Sequence, residues 1–489
     1  MSLAPSRALV VVRLLLRAFF RRVEVSGLEH IPAQSGGIVV AWHPNGMVDP
    51  ALVLSSFPRR IVFGARHGLF RIPGLGALMK ALGTVPIYRA KDSSRGDDSV
   101  RRAANQKSLE ALAREVAGGS FSALFPEGES HDDPRPRALR PGAARLYYLA
   151  RQLTPSGAPL PVIIPAGLHY DDKHVFRSSA LVRFHPPLEL SPELDVTPEA
   201  NEDPETEKER TARFVALLDA TLADVVGATD DWRLHHAIAR ARKLVRAERA
   251  ARAGLEPGRP ELLERALGFA RVRAGYLARQ KTHPEEVASL RRRVEEYDAD
   301  LRTLGLDDHD LDKDPRWASP WLAVLLGLQL VGVFFLLPPI VLVGYAVNLP
   351  TVGALWLLAR AFSRKVKDEA TVKLLCGAVL FPITWTLVGL LAVSAHESLR
   401  TTFVRLPAEP AWAFLSAVSL AVFGGAIALR YLRLAREAAR SARVRLTRRL
   451  RQRAIARLRT ERAALCDELL ALAEGLDLPG RVEADGRVV

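Results

Sequence analysis

From Trp317 to Ala359 the chain runs for 43 residues without a charged side chain. A water-soluble domain seldom contains such a run, whereas an α-helix needs about 20 apolar residues to cross the hydrocarbon of a bilayer. Two more uncharged stretches follow, Leu374–Ala395 with 22 residues and Ala411–Leu429 with 19. The first stretch is long enough for two spans, with a turn at Pro338-Pro339 or near Asn348-Leu349-Pro350. The expectation is therefore a C-terminal multi-span region of about four transmembrane helices over residues 317–429.

Basic residues orient these spans. Arg360, Arg364, Lys365, Lys367 and Lys373 lie between the second and third spans, and 13 arginines against only Glu437 and Glu461 fill Arg430–Arg462. The 396–410 loop has only Arg400 and Arg405. The positive-inside rule puts both basic segments in the cytoplasm. Four crossings return the chain to its starting side, so the N-terminal part is expected there as well. The membrane would be the plasma or inner membrane in a bacterium and the endoplasmic reticulum in a eukaryote. Most of the net charge of +15 sits in the arginine-rich helix at 430–475. That helix directly follows a span and lacks interleaved aromatics. Attraction to anionic headgroups, or a solvated helix, explains it more simply than nucleic acid does.

The remaining chain divides by pattern. Residues 1–22 read RALVVVRLLLRAFFRR after a short lead, with Arg13, Arg17 and Arg21 on one stripe and Leu9, Val12, Leu16, Phe19 and Phe20 largely away from it. That is a basic amphipathic helix suited to a membrane interface; the alternative is a helix packed on the next domain. Residues 23–195 alternate short β-type runs (36–42, 60–65, 84–88, 120–125, 161–167, 180–186) with helical patterns such as 99–117 and 142–153. This predicts an α/β domain, a mixed sheet with flanking helices. Residues 207–306 form a charged helical module in which no chemistry is legible. His235 and His236 are adjacent and point to different sides of a helix, a poor metal pair. The two cysteines, Cys376 and Cys466, give neither a disulfide framework nor a metal site.

The chemistry concentrates in the α/β part. In VVAWHPNGMVDP a β-type run ends just before His43, and Asp49 lies six residues on. A continuous helix would put the two about 240° apart, so they can meet only across the turn that Pro44-Asn45-Gly46 supplies. A neutral imidazole can take a proton from a hydroxyl, and a carboxylate on its other nitrogen fixes the tautomer. The alternative is a capping Asp49 and a structural His43. In FPEGESHDD, Glu127 and Gly128 follow another β-run. Gly128-Glu129-Ser130 is half of a nucleophile elbow, but Asp132 stands where the elbow needs glycine. Arg89, after VPIY and near Lys91, and Arg140, before a helical run, suit a phosphate through the guanidinium fork. The segment PGLGALMKALG lacks the third glycine of a dinucleotide fingerprint, Met79 standing there; it reads better as a turn and an apolar helix.

In this order the segments HPNGMVD, VPIYR, FPEG and VIIPAG resemble the four blocks of the glycerol-phosphate and lysophosphatidate acyltransferase superfamily, over about residues 25–190. A closer resemblance is to the fungal-type glycerol-3-phosphate/dihydroxyacetone-phosphate acyltransferases, carried by FPEGESHD, GLHY (167–170), FRSS (176–179) and DEATVKL (368–374). The common His–Asp motif has four intervening residues and this chain has five; the common third block has Arg soon after EG, where this chain has Glu129 and Ser130. Arg135, Arg137 or Arg140 are the candidates to supply that charge.

The resemblance implies acyl transfer from acyl-CoA or acyl-carrier protein to a hydroxyl of glycerol-3-phosphate, dihydroxyacetone phosphate or lysophosphatidate. His43 would be the general base, Asp49 its orienting partner, and Arg89, Glu127 and Gly128 the phosphate and glycerol site. It implies no cofactor beyond the acyl donor, no metal and no nucleic acid partner. Both cysteines lie outside the α/β domain, which favours direct attack of the acceptor over an acyl-enzyme. A different class of reading is a non-catalytic membrane protein that binds or moves anionic lipid.

Overall fold

The computed structural model describes residues 6–88, 98–199, 202–256, 258–312, 320–362, 366–403 and 406–489. Arg89, Lys91, Trp317, Arg364, Lys365 and Arg405 lie outside the described residues. The chain forms two compact units. One comprises Met1–His235, Glu261–Ala270 and Lys365–Thr371; the other comprises His236–Pro260, Arg271–Arg364 and Val372–Val489.

The first unit is built on a seven-stranded sheet. Its strands are β1 (Arg22–Ser26), β2 (Gly37–Ala41), β3 (Ile61–Arg66), β4 (Val85–Ile87), β5 (Phe121–Leu124), β6 (Val162–Tyr170) and β7 (Ser179–Phe184). The order is β1-β7-β6-β2-β5-β3-β4. Strands β6, β2, β5, β3 and β4 run parallel to their neighbours. Strand β7 is antiparallel to β6, and β1 pairs parallel with β7, so the sheet is mixed. The six β-type runs of the sequence all became strands. The edge strand β1 did not stand out, because RVEVS carries charge on an exposed rim instead of an apolar run.

Strand β2 lies at the centre and is buried along its whole length, which is why it reads as an unbroken apolar run. The pleat sends Ile38 and Val40 to one face and Val39 to the other. On the first face Ile38, Val40, Val62 and Ile163 pack under three helices, α4 (Asp98–Ala117), α5 (Gly142–Leu153) and α6 (Pro204–Val225). Helix α6 supplies Phe214, Leu218 and Leu222. The first helix of the charged module thus belongs to the sheet. Helix α2 (Val48–Ser56) packs against β7 and against α1 (Arg7–Phe19). Phe57, at the end of α2, packs on Phe121 and Phe184.

Helix α1 meets the two sequence readings halfway. Val12, Leu16 and Phe19 are buried, so the helix packs on its domain, while Val10, Val11 and Leu14 stay exposed beside Arg7 and Arg17. Arg13 leaves the basic stripe, its Nε donating to Ser55 O at 3.3 Å.

The second unit has a helical core of its own. Residues 241–311 contribute Leu244, Val294, Tyr297, Leu301 and Leu311, and residues 444–466 contribute Val444, Leu458 and Leu465. Buried Arg462 ties the same segments, donating to Glu248 at 2.8 Å and to Asp312 at 2.7 Å through two nitrogens. Arg440 pairs with Asp307 and Asp310, and Arg459 donates to Leu311 O. Part of the arginine-rich segment therefore neutralises the acidic stretch 307–312. The sequence expectation of a solvated or lipid-facing helix is corrected there.

The first apolar stretch differs from the expected hairpin. Residues Pro320–Val331 (α10), the π-helical segment Gly332–Leu336 and Leu337–Phe362 (α11) are helical throughout, with no turn at Pro338-Pro339 or near Pro350. The π-segment, closed by Leu337 N–H on Gly332 O, re-pairs the backbone just before the two prolines. Among the described residues, two helices are long and apolar enough to span a bilayer, Glu369–Arg400 within α12 (Val366–Arg400) and α13 (Ala411–Leu450). Only 11% of each apolar window is buried. Helix α11 meets α13 at Gly344 and Gly424, where a Cβ on Gly344 would stand 2.3 Å from Gly424 O. Buried Asn348 bridges the helices there, donating to Gly344 O and Ala421 O and accepting from Trp385 Nε1 at 3.0 Å.

Candidate active site

Parallel strands in an open sheet place their following loops in one crevice at the carboxyl ends. Here β2, β5 and β6 are neighbours, and the segments that leave them, WHPNG, FPEGESHD and the end of GLHY with its loop, converge. Trp42 Nε1 donates to Leu168 O at 3.1 Å. His43 N–H donates to Glu127 Oε2 at 2.8 Å, and His131 N–H donates to His43 O at 3.1 Å. The His43 ring stacks on Phe125, with centroids 4.4 Å apart.

His43 and Asp49 do meet. His43 Nδ1 lies 2.8 Å from Asp49 Oδ2. Residues 44–47 form a turn in which Gly46 takes φ +48°, and the helix begins only at Val48. Asp49 is fully buried and its side chain accepts three hydrogen bonds: from His43, from Asn45 N–H at 2.6 Å, and on Oδ1 from the Tyr170 hydroxyl. With Nδ1–H donated to the carboxylate, Nε2 carries the imidazole lone pair, a tautomer assigned from the hydrogen-bond network. The His43 side chain is 16% exposed, so it sits at a rim and not in the interior.

Glu127 stands elsewhere than expected. Its carboxylate is buried; Oε2 holds His43 N–H, and Oε1 accepts from His131 Nε2 at 2.6 Å and Arg137 N–H at 3.0 Å. Both oxygens are thus committed to the loops around His43. Gly128 has φ +73°, and a Cβ there would lie 2.7 Å from Arg140 Nε. The glycine lets the Arg140 side chain lie against the loop, and Arg140 is exposed with no side-chain partner among the described residues. Arg137 instead pairs with Asp133 and Glu129. Arg89 lies outside the described residues. No helix follows Ser130 directly, the next one being α5 at Gly142, so the strand–turn–helix of a nucleophile elbow is missing.

Sequence reasoning gave no role to Tyr170, Lys173 or His131. Lys173 Nζ donates to Pro44 O at 3.0 Å, Asn45 Nδ2 donates to Lys173 O at 2.9 Å, and Lys173 pairs with Asp132. The available signal was position: GLHY ends the strand next to β2, so whatever follows it must face the His43 turn.

Two more histidines lie near β6 and β7. Burial, reinforced by His185 and Arg183, pushes His169 down to about 4, and burial with Arg183 pushes His185 down to about 4.

The Acyltransferase family profile matches residues 22–168, and that of the glycerol-3-phosphate acyltransferase 2 C-terminal domain matches residues 270–477. An uncharacterised acyltransferase of Schizosaccharomyces pombe is 22% identical over 262 residues, 37% of this chain and 38% of that protein. The chain thus spans well under half the length of that relative. A 1-acyl-sn-glycerol-3-phosphate acyltransferase of Borreliella burgdorferi is 25% identical over 193 residues, 39% of this chain and 70% of that protein. The crystal structure of the 1-acyl-sn-glycerophosphate acyltransferase of Thermotoga maritima is 18% identical and covers 44% of this chain and 79% of its own, at a TM-score of 0.29.

The depressed histidines set a pH signature for this unit. A histidine whose folded value is lowered binds its proton more readily when unfolded, so stability is complete above about 6.5 and lost as pH falls toward about 4. The thermal unfolding midpoint in detergent should fall through that window, and His185→Asn should flatten the slope; an unchanged slope in the variant contradicts the assignment. The His43–Asp49 pair lies inside the match to the Acyltransferase family, so residues 22–168 form an acyltransferase-family domain, and residues 270–477 carry the separate match to the glycerol-3-phosphate acyltransferase 2 C-terminal domain.

Proposed function

We propose that this chain is a membrane-bound O-acyltransferase of glycerophospholipid synthesis. It transfers a fatty acyl group from acyl-CoA, or acyl-carrier protein, to a hydroxyl of a small phosphate monoester. The observation that carries the reading is a rim-exposed imidazole held by a buried carboxylate, His43 on Asp49 at 2.8 Å. His43 Nε2 takes the acceptor hydroxyl's proton as the oxygen attacks the thioester carbonyl carbon. Collapse breaks the C–S bond, and the leaving thiolate takes the proton back from the imidazolium. The cysteines offer no competing nucleophile: both lie in the other unit, and burial pushes the Cys466 thiol up to about 11.

Arg140 is the phosphate ligand in this reading, exposed against Gly128 on the loop whose glutamate holds His43. Arg89 is proposed as a second ligand. Glu127 and Gly128 serve by shaping the loop. Glycerol-3-phosphate is the acceptor proposed first, in keeping with the name of the matched C-terminal domain; dihydroxyacetone phosphate and lysophosphatidate share its phosphate. No metal or cofactor is invoked.

The membrane assignment rests on α12 and α13. Residues 241–311 and 444–466 share one core, so the chain between them crosses an even number of times. Helices α12 and α13 supply one pair of crossings; α11, packed on α13 at Gly344 and Gly424, shares their apolar layer in this reading and must leave the count even. The four spans expected from composition would also be even, but they need a turn where the structure has helix. By the positive-inside rule the shared core, with the catalytic unit, faces the cytoplasm. The exposed Val10, Val11 and Leu14 of α1, flanked by arginines, suit an anionic interface.

Two measurements check this. In membranes with labelled palmitoyl-CoA, His43→Ala should lose acyl transfer to glycerol-3-phosphate by at least about a thousandfold, and Arg140→Ala should raise the acceptor KM about tenfold with donor KM unchanged. Full turnover in His43→Ala refutes the enzyme. For topology, single cysteines at Ser156 and Gly480 should react with an impermeant maleimide from the same side and one at Thr402 from the opposite side. Labelling of all three from one side contradicts the pair of crossings.

A further inference from the structure

Asp49 is fully buried and accepts a hydrogen bond on Oδ1 from Tyr170, 121 residues away in sequence and on the strand next to the one that delivers His43. We propose that Tyr170 is a positioning residue for the acyl transfer, its hydroxyl fixing the orientation and the effective basicity of Asp49 and through it of His43. This rests on the proposed reading of His43 as general base.

The geometry singles Tyr170 out. A buried carboxylate has about four lone-pair sites. On Oδ2 the donors are His43 and the backbone N–H of Asn45. Among the described hydrogen bonds, Oδ1 is held by Tyr170 alone. Without that donor, Oδ1 would be buried and unsatisfied, and the carboxylate could rotate about its bond to Cβ. Such a rotation would misalign the bond that sets the imidazole plane. The ring of Tyr170 is itself held against Phe20, centroids 6.0 Å apart. Burial and the neighbouring Asp49 hold the phenol well above its ordinary range, so it remains a donor through the working pH range.

The hydrogen bond also competes. Each donor on Asp49 draws charge from the carboxylate and so weakens its pull on the imidazolium. Other charged groups around the turn are internally paired: Lys173 with Asp132, and Glu127 with His131. Tyr170 is therefore the adjustable partner. Removing its hydroxyl should make His43 a more easily protonated but less well-aimed base.

The test uses the full-length protein in membranes with palmitoyl-CoA and glycerol-3-phosphate. Tyr170→Phe should lower kcat roughly 10- to 100-fold and leave both KM values within about twofold. It should also move the acid limb of the kcat/KM profile upward by about 0.5–1 pH unit. Replacing Tyr170 with 3-fluorotyrosine, a stronger donor of nearly the same shape, should move that limb downward. A purely structural role would lower yield or the unfolding temperature without moving the limb in opposite directions. Where Tyr170→Phe does not fold, an unmoved limb in the fluorotyrosine protein overturns the inference. His43→Ala separates the levels. If it is inactive while Tyr170→Phe keeps wild-type kcat and limb, the Tyr170 role fails and the reading of His43 stands. If His43→Ala retains turnover, the reading itself fails.

Discussion

A single buried carboxylate organises the loops at the carboxyl ends of the parallel strands. Asp49 is removed from water, and a buried anion is tolerated only when hydrogen bonds replace its hydration. The chain supplies them from three places: His43 at the end of the central strand, the Asn45 backbone inside the turn, and Tyr170 at the end of the neighbouring strand. The requirement to satisfy one side chain thus fixes the approach of two strands, one turn and the start of α2. The same requirement orients an imidazole whose far nitrogen faces the rim.

The parallel part of the sheet makes this possible. Strands β2, β5 and β6 are hydrogen-bonded neighbours pointing the same way, so their exits share a crevice. Glu127 acts there as a second anchor, binding the backbone of His43 and the ring of His131. Two buried carboxylates thereby hold one histidine, Asp49 by its side chain and Glu127 by its backbone. Arg140 lies on the outside of the same loop, where Gly128 leaves it room.

The sequence carried much of this and missed the rest for identifiable reasons. His43 and Asp49 were legible as a candidate pair because a β-run, a Pro-Asn-Gly turn and a carboxylate stood within a dozen residues; the local argument left a structural pair open, and the ordered blocks tipped the reading. Tyr170 was not, because its partner lies 121 positions away and only strand order brings the two together. Glu127 was recognised as a site residue, but sequence gave no means of seeing that both its oxygens would be used internally. The uncharged stretch 317–359 was read as two spans because two prolines and an asparagine looked like a turn. In the structure a π-segment precedes the prolines and Asn348 links helices instead. The arginine run at 430–462 looked like a free basic surface; part of it is matched to the acidic stretch 307–312, a pairing across more than 100 residues that charge counting along the chain does not reveal.

The central claim is that Asp49 works through the imidazole of His43. Asp49→Asn keeps the shape and burial of the side chain and removes the charge. With the unfolding temperature in detergent unchanged, the account predicts a kcat about 10³- to 10⁴-fold lower, with KM for glycerol-3-phosphate and palmitoyl-CoA within a few-fold of the parent. A variant that folds normally and turns over within tenfold of the parent would contradict it.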